Sequence, residues 1–160
     1  MAQKDAKVIA VSNQKGGVGK TSTVVNIAFG LARLQKRVLV IDSDHQGDAT
    51  KCLGRKDYEQ LPITLYDMYK TIMEDNDFHK DDGILKHEEG VYFMPANLKL
   101  ADTELSLVPA MNREKILSVY VDAVKGSYQY SQHGSIPAMG NAQQRSKCGA
   151  GGTGESLWRG

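Results

Sequence analysis

Few features of this 160-residue sequence point to a metal centre, a disulfide framework or a membrane protein. Its two cysteines, Cys52 and Cys148, are far apart and lack the spacing of zinc ligands. No apolar run approaches transmembrane length, and the run nearest the N-terminus is too short for a signal peptide. The formal net charge is +1, so no global field attracts nucleic acid or a membrane. These absences predict one cytoplasmic, globular domain with reduced thiols.

A glycine-rich loop with two lysines is the most informative feature that is present. It follows the apolar run Val8–Val11 and precedes a helical pattern, which is the context of a phosphate-binding loop. Glycines let backbone N–H groups wrap around phosphate oxygens, and the positive end of the helix adds to the field. Lys20 is then expected to bind the β- and γ-phosphates, and the Thr21 hydroxyl to ligate Mg²⁺. The predicted nucleotide-binding residues are Lys15, Gly16, Gly17, Val18, Gly19, Lys20, Thr21 and Ser22.

The alternative is a glycine-rich turn with incidental basic residues. A bare pair of glycines would favour that alternative, whereas the longer motif with both flanks favours the phosphate-binding loop. A second glycine-rich stretch, Gly149–Gly154, has no preceding strand and no following Lys-Thr pair, so it is not a nucleotide loop.

A second candidate segment follows the apolar run Val38–Ile41. This run predicts a strand buried on both faces of a parallel sheet. Asp42 and Asp44 come directly after it, where α/β folds bind ligands. For Asp42, capping of a loop or helix is as good an interpretation as a functional role.

These two segments resemble those of the ParA/Soj partition ATPases, which carry a deviant Walker A motif. The resemblance rests on Lys15, which precedes the glycine pair, and on residues 42–50. The latter are similar to the family's Asp-x-Asp-x-Gln-Gly-Asn-x-Thr segment, with Asp48 where asparagine is usual. The resemblance implies that Lys15 reaches across a dimer interface to the partner's nucleotide, and that Asp44 helps position Mg²⁺ and the attacking water. The predicted catalytic residues are Lys15, Lys20 and Asp44, and the predicted metal ligands are Thr21 and Asp44.

Strands alternate with helices along the chain, which predicts an α/β fold. Strands are expected at 7–12, 37–42 and 91–95, and helices at about 20–34, 65–72 and 113–124. The first helix is expected to bury Val24, Ile27, Ala28 and Leu31, and the polar residues 74–89 to form a solvated excursion. The expected fold class is a P-loop NTPase-type parallel sheet flanked by helices, representing the N-terminal portion of the ParA fold.

The resemblance is expected to end near residue 130. Residues 1–130 then form the N-terminal part of a ParA-type ATPase domain, and residues 131–160 a disordered tail outside the family. The family continues here with an apolar strand that ends in the Walker B aspartate. The tail instead holds seven of the 16 glycines and a single acidic residue, Glu155. Without the Walker B strand, the strand at 7–12 is expected to lack a neighbour. A shift of reading frame near Tyr130, a deliberate truncation and a cloning artefact are three open explanations.

The resemblance implies an ATP- and Mg²⁺-binding, ATP-hydrolysing protein of plasmid or chromosome partitioning. Family members form an ATP-dependent homodimer that binds DNA nonspecifically, and a ParB-like activator stimulates hydrolysis. The family's DNA-binding residues lie largely beyond residue 130, so this implication does not extend to DNA binding by this chain. The missing Walker B element keeps two other hypotheses open: a nucleotide-binding module without turnover, and a remnant without function.

Overall fold

The computed structural model describes residues 6–12, 19–102 and 111–134. They contain five strands: β1 (Lys7–Val11), β2 (Val38–Asp42), β3 (Leu85–Lys86), β4 (Tyr92–Met94) and β5 (Tyr130–Gly134). The strands form one sheet in the order β1-β5-β2-β4-β3. Neighbours are parallel from β1 through β4, and β3 adds an antiparallel edge on β4.

The described helices are α1 (Lys20–Arg33), α2 (Asp48–Cys52), α3 (Leu65–Met73) and α4 (Met111–Val124), with short 3₁₀ turns at Tyr58–Gln60 and Lys125–Ser127. The helix expected at 65–72 is α3, and a reciprocal capping box between Thr64 and Asp67 marks its start. The Thr64 backbone N–H donates to Asp67 Oδ2 at 2.8 Å.

Helices cover both faces of the sheet around β2, every residue of which is buried. Because side chains alternate along a strand, Leu39 and Ile41 join one core cluster with α3 and α4. Val38 and Val40 join the other cluster, with residues of α1 and α2. The predicted α/β class, a parallel sheet flanked by helices, is confirmed, as is the prediction that the run 38–41 is buried on both faces.

The main correction concerns β5. Residues 131–134 were expected to lie in a tail without strands, yet they pair with both β1 and β2. The expectation that β1 lacks its neighbour is therefore wrong, because β5 occupies that place. The reason is physical: a sheet is held by backbone hydrogen bonds, which a strand can make without an apolar run of its own. Residues 135–160 lie outside the described residues, so the prediction of disorder there stays a prediction.

Two smaller expectations also differ from the structure. The polar excursion at 74–89 contains β3, whose two residues pair with Tyr92 and Phe93 of β4. In α1, Val24 and Ala28 are buried as expected, but Ile27 is 38% exposed because the helix turns Val25 inward instead. In the described part of the chain, no helix is both long enough and apolar enough to cross a bilayer.

Candidate functional site

The carboxyl ends of β1 and β2 lie at one edge of the sheet, on either side of β5. Gly134 of β5 is in register with Val11 at the end of β1 and with Asp42 at the end of β2. Two strand spacings separate Val11 from Asp42, a distance of about 10 Å. In the sequence the predicted phosphate-binding loop follows β1, whereas Asp42 ends β2 and Asp44 follows it, so this topology brings the strand ends next to both predicted segments to the same edge.

The described end of the glycine-rich loop leads directly into α1. Gly19 has φ of +82°, a left-handed conformation that favours glycine, and it caps the helix. Its carbonyl accepts hydrogen bonds from the Thr23 backbone N–H and hydroxyl, both at 2.9 Å. Lys20, Thr21 and Ser22 form the first turn, which contains no acidic residue, so the positive end of the helix dipole is not neutralised from within. The predicted residues Lys15, Gly16, Gly17 and Val18 lie outside the described residues.

Asp42 is buried and is fixed by three hydrogen bonds. Its Oδ2 accepts the Thr50 backbone N–H at 2.8 Å and the Thr50 hydroxyl at 2.7 Å, and its Oδ1 accepts the Asp44 N–H at 3.3 Å. Burial raises the pKa of the Asp42 carboxyl to about 6, and these hydrogen bonds oppose only part of that effect. Thr50 lies in the first turns of α2, so Asp42 caps this helix from the neighbouring strand. Capping of a helix, one of the two interpretations of Asp42 that the sequence left open, is therefore observed.

Asp44 differs from Asp42 because its side chain remains about one third exposed. Its Oδ1 accepts the Gln46 N–H at 3.0 Å and lies 3.9 Å from His45 Nδ1. Gly47 closes this turn with φ of +63°, and a Cβ there would lie 2.8 Å from the Tyr58 ring. The turn thus holds Asp44 two residues beyond the end of β2, with its carboxylate partly exposed to solvent.

The donor set fits a nucleotide-bound Mg²⁺ better than a metal held by protein alone. No group of three or more His, Cys, Asp or Glu side chains that could hold a metal occurs in the described ranges. Mg²⁺ in phosphate sites usually takes one or two protein ligands and completes its shell with phosphate oxygens and water. The Thr21 hydroxyl and the Asp44 carboxylate, the two predicted metal ligands, are oxygen donors of the type that suits such a site.

Sequence reasoning missed Thr50 and the strand position of β5. Thr50 is the last residue of the segment 42–50, and its two bonds to Asp42 depend on how α2 folds back over β2. β5 carries no aspartate or glutamate between Tyr130 and Gly134, so it fills the place expected of the Walker B strand without its carboxylate.

The sheet order and the glycine junction between β1 and α1 define a P-loop NTPase-type α/β protein. A family model described as an AAA domain matches residues 6–146, which extends past the expected boundary at residue 130. The chain belongs to this AAA-domain family, within which ParA and Soj proteins are its relatives, and the predicted family is confirmed.

Two relatives show the extent of the similarity. The sporulation initiation inhibitor protein Soj of Bacillus subtilis (strain 168) is 41% identical over 138 residues, covering 84% of this chain and 51% of Soj. The chromosome partitioning protein ParA of Myxococcus xanthus is 33% identical over 137 residues, covering 84% of this chain and 46% of ParA. The chain thus spans about half the length of the curated relatives it matches.

Two solved structures are also similar to this chain over about half of their own length. Cobyrinic acid a,c-diamide synthase from Mycobacterium smegmatis, with a bound ATP analog and magnesium, has a TM-score of 0.74 at 32% identity, covering 84% of this chain and 53% of the synthase. A plasmid partition protein from Borrelia burgdorferi B31 bound to AMPPNP has a TM-score of 0.65 at 26% identity, with 84% and 55% covered.

Proposed function

We propose that the edge formed by the ends of β1, β5 and β2 binds ATP with Mg²⁺, and that the chain represents the N-terminal part of a ParA-type partition ATPase. One observation carries this proposal: Val11 of β1 and Asp42 of β2 are both in register with Gly134 of β5, which lies between them. The strand ends next to the two predicted segments therefore lie at the same edge of the sheet. The nucleotide-bound relatives among solved structures support the same ligand.

Each residue of the site has a role that follows from its position. Lys20 in the first turn of α1 supplies positive charge for the β- and γ-phosphates, and Thr21 offers its hydroxyl to Mg²⁺. Hydrolysis of the γ-phosphate requires mainly that water and phosphate be positioned and their charge stabilised. Asp44, whose side chain is about one third exposed, is a carboxylate that can orient that water and contribute to the Mg²⁺ site.

Further proposals follow from membership of the family rather than from contacts in this chain. Lys15 acts in trans on the partner's nucleotide within an ATP-dependent homodimer, and a ParB-like protein stimulates hydrolysis in the cytoplasm. Lys15→Gln is then expected to leave monomer affinity for ATP nearly intact and to abolish ATP-dependent dimerisation. Sedimentation in ATP checks this, and equal dimerisation of the two proteins would refute the role of Lys15. Where these 160 residues do not dimerise, the comparison is made in a full-length version.

Calorimetry of ATP binding with Mg²⁺ tests the nucleotide site itself. Lys20→Ala removes a positive charge from the phosphates, and we expect it to weaken ATP binding about 100-fold, since hydrogen-bonded charge pairs contribute a few kcal/mol. Lys36→Ala is the matched control, because Lys36 is exposed just beyond the opposite end of α1. Equal ATP affinity of wild type and Lys20→Ala would remove the proposed site.

Turnover is tested separately from binding. Asp44→Ala is expected to reduce phosphate release while ATP affinity changes little, because a group that acts on water stabilises the transition state more than the ground state. Asp57→Ala is the control, since Asp57 is exposed and paired with Arg55. The comparison belongs in whichever version of the protein hydrolyses ATP, and unchanged turnover of Asp44→Ala would contradict the proposed role.

A nucleotide-binding module without turnover is the second candidate. It is favoured by one observation: β5 lies between β1 and β2 but carries no carboxylate that could support Mg²⁺. This candidate predicts ATP binding by calorimetry with no phosphate release by these 160 residues. A preparation that binds no nucleotide would leave the third hypothesis, a remnant without function.

A further inference from the structure

Thr50 is a fully buried polar residue outside the predicted site, and its hydroxyl makes two hydrogen bonds. It accepts the Ala96 backbone N–H at 3.1 Å and donates to Asp42 Oδ2 at 2.7 Å. A backbone N–H can only donate, so the Thr50 hydroxyl must accept from Ala96 and has its single proton left for Asp42. The direction of both bonds is therefore fixed.

These bonds continue to the turn that holds Asp44. Asp42 accepts the Asp44 N–H through Oδ1, and Asp44 accepts the Gln46 N–H through its own Oδ1. The series runs from the segment after β4, through Thr50, to the turn after β2. Thr50 donates two of the three described hydrogen bonds that Asp42 accepts, one from its backbone N–H and one from its hydroxyl, so Thr50 contributes most to the orientation of this carboxylate.

We propose that Thr50 is a positioning residue of the nucleotide site: it contacts no ligand, and it orients Asp42 and thereby the Asp44 turn that completes the Mg²⁺ end. The proposal rests on the proposed function for its ligand but on the bonds above for its geometry. Loss of such supporting hydrogen bonds typically weakens metal sites 10- to 100-fold. The hydroxyl, rather than the volume of the side chain, is the feature that matters.

The test compares Thr50→Val with Thr50→Ser in the whole chain. Valine keeps the shape and removes the hydroxyl, whereas serine keeps the hydroxyl and removes a methyl group. Amide hydrogen exchange without nucleotide is the first measurement. We expect Thr50→Val to accelerate exchange at Asp44 and Gln46 but not at Val25 in the middle of α1, and Thr50→Ser to resemble wild type. Thr50→Ala replaces valine if the methyl group prevents folding.

ATP affinity with Mg²⁺ and with EDTA is the second measurement. In Thr50→Val we expect the ratio of ATP affinity with Mg²⁺ to ATP affinity in EDTA to fall about tenfold, while the affinity in EDTA changes little. Lys20→Ala, in contrast, should lose affinity in both conditions. Unchanged exchange and unchanged Mg²⁺ dependence in Thr50→Val, or equal losses in Thr50→Ser, would overturn the proposal. A wild type that binds no ATP would overturn the proposed function, and exchange at Asp44 alone would then decide whether Thr50 positions this turn.

Discussion

β1 and β2 flank β5 in the same register and in the same direction, yet their surroundings differ. Every residue of β2 is buried, because helices cover both faces and β4 pairs with its far edge. β1 has two exposed and three half-buried residues, and no described strand pairs with its outer edge. The ends of β1 and β2 at the candidate site thus belong to two different strands, one buried at every residue and one fully buried at none.

Because of this difference, we expect substitutions near the two strands to affect different properties of the protein. Asp42 ends the buried strand β2 and Asp44 follows it, and two hydrogen bonds from Thr50 hold the Asp42 carboxylate in place. β1, which precedes the glycine-rich loop in the sequence, is less covered, so the position of β1 depends more on its pairing with β5. We therefore expect substitutions around β2 to change the free energy of unfolding, and substitutions around β1 to change association.

The largest effect is expected from proline in β5. Gln132 lies between Ile9 of β1 and Val40 of β2, so proline there removes a ladder hydrogen bond inside the sheet and should cost about 3 kcal/mol or more. Lys7 donates its N–H toward β5, so alternation directs the backbone of Ala10 to the open edge. Ala10→Pro should cost less, about 1 kcal/mol. Urea unfolding followed by circular dichroism measures both, and equal losses would contradict the interior position of β5.

A smaller effect is expected from one substitution made on both strands. Val40→Ala removes two methyl groups from a fully buried position in β2 and should cost about 2–3 kcal/mol through lost burial and a residual cavity. Val8→Ala makes the same change in β1, where the side chain is 37% exposed, and should cost less than about 1 kcal/mol. The difference between the two urea midpoints is the measurement. Similar losses would show that β1 is as well packed as β2.

The covered region was also the more predictable one. The apolar run Val38–Ile41 predicts a strand buried on both faces, and the helical periodicity of residues 65–72 predicts α3. The glycine-rich motif predicts the start of α1, because its last glycine, which can adopt a left-handed conformation, is followed by a lysine and a threonine.

β5 could not be predicted, because Tyr130–Gly134 has no apolar run and its pairing uses backbone groups that every residue possesses. The contact between Thr50 and Asp42 could not be predicted from the sequence for another reason. It joins residues eight positions apart across a turn, and only the three-dimensional path of that turn brings them together. Periodicity reports which face of an element is apolar, but it does not report which polar groups meet between elements.

The smallest effect on stability and the clearest effect on association are expected at the open edge of β1. Alternation directs the backbone groups of Val8 and Ala10 outward, and the exposed side chain of Val8 adds apolar surface. An uncovered apolar edge is a template for another strand, and lysine on an edge opposes such pairing. Val8→Lys should therefore reduce self-association in sedimentation velocity while the free energy of unfolding changes by about 0.5 kcal/mol or less. Leu34→Lys is the matched control, because Leu34 is 67% exposed just after α1 but lies outside the sheet. If both lysine variants reduce association equally, general surface hydrophobicity rather than the β1 edge drives it.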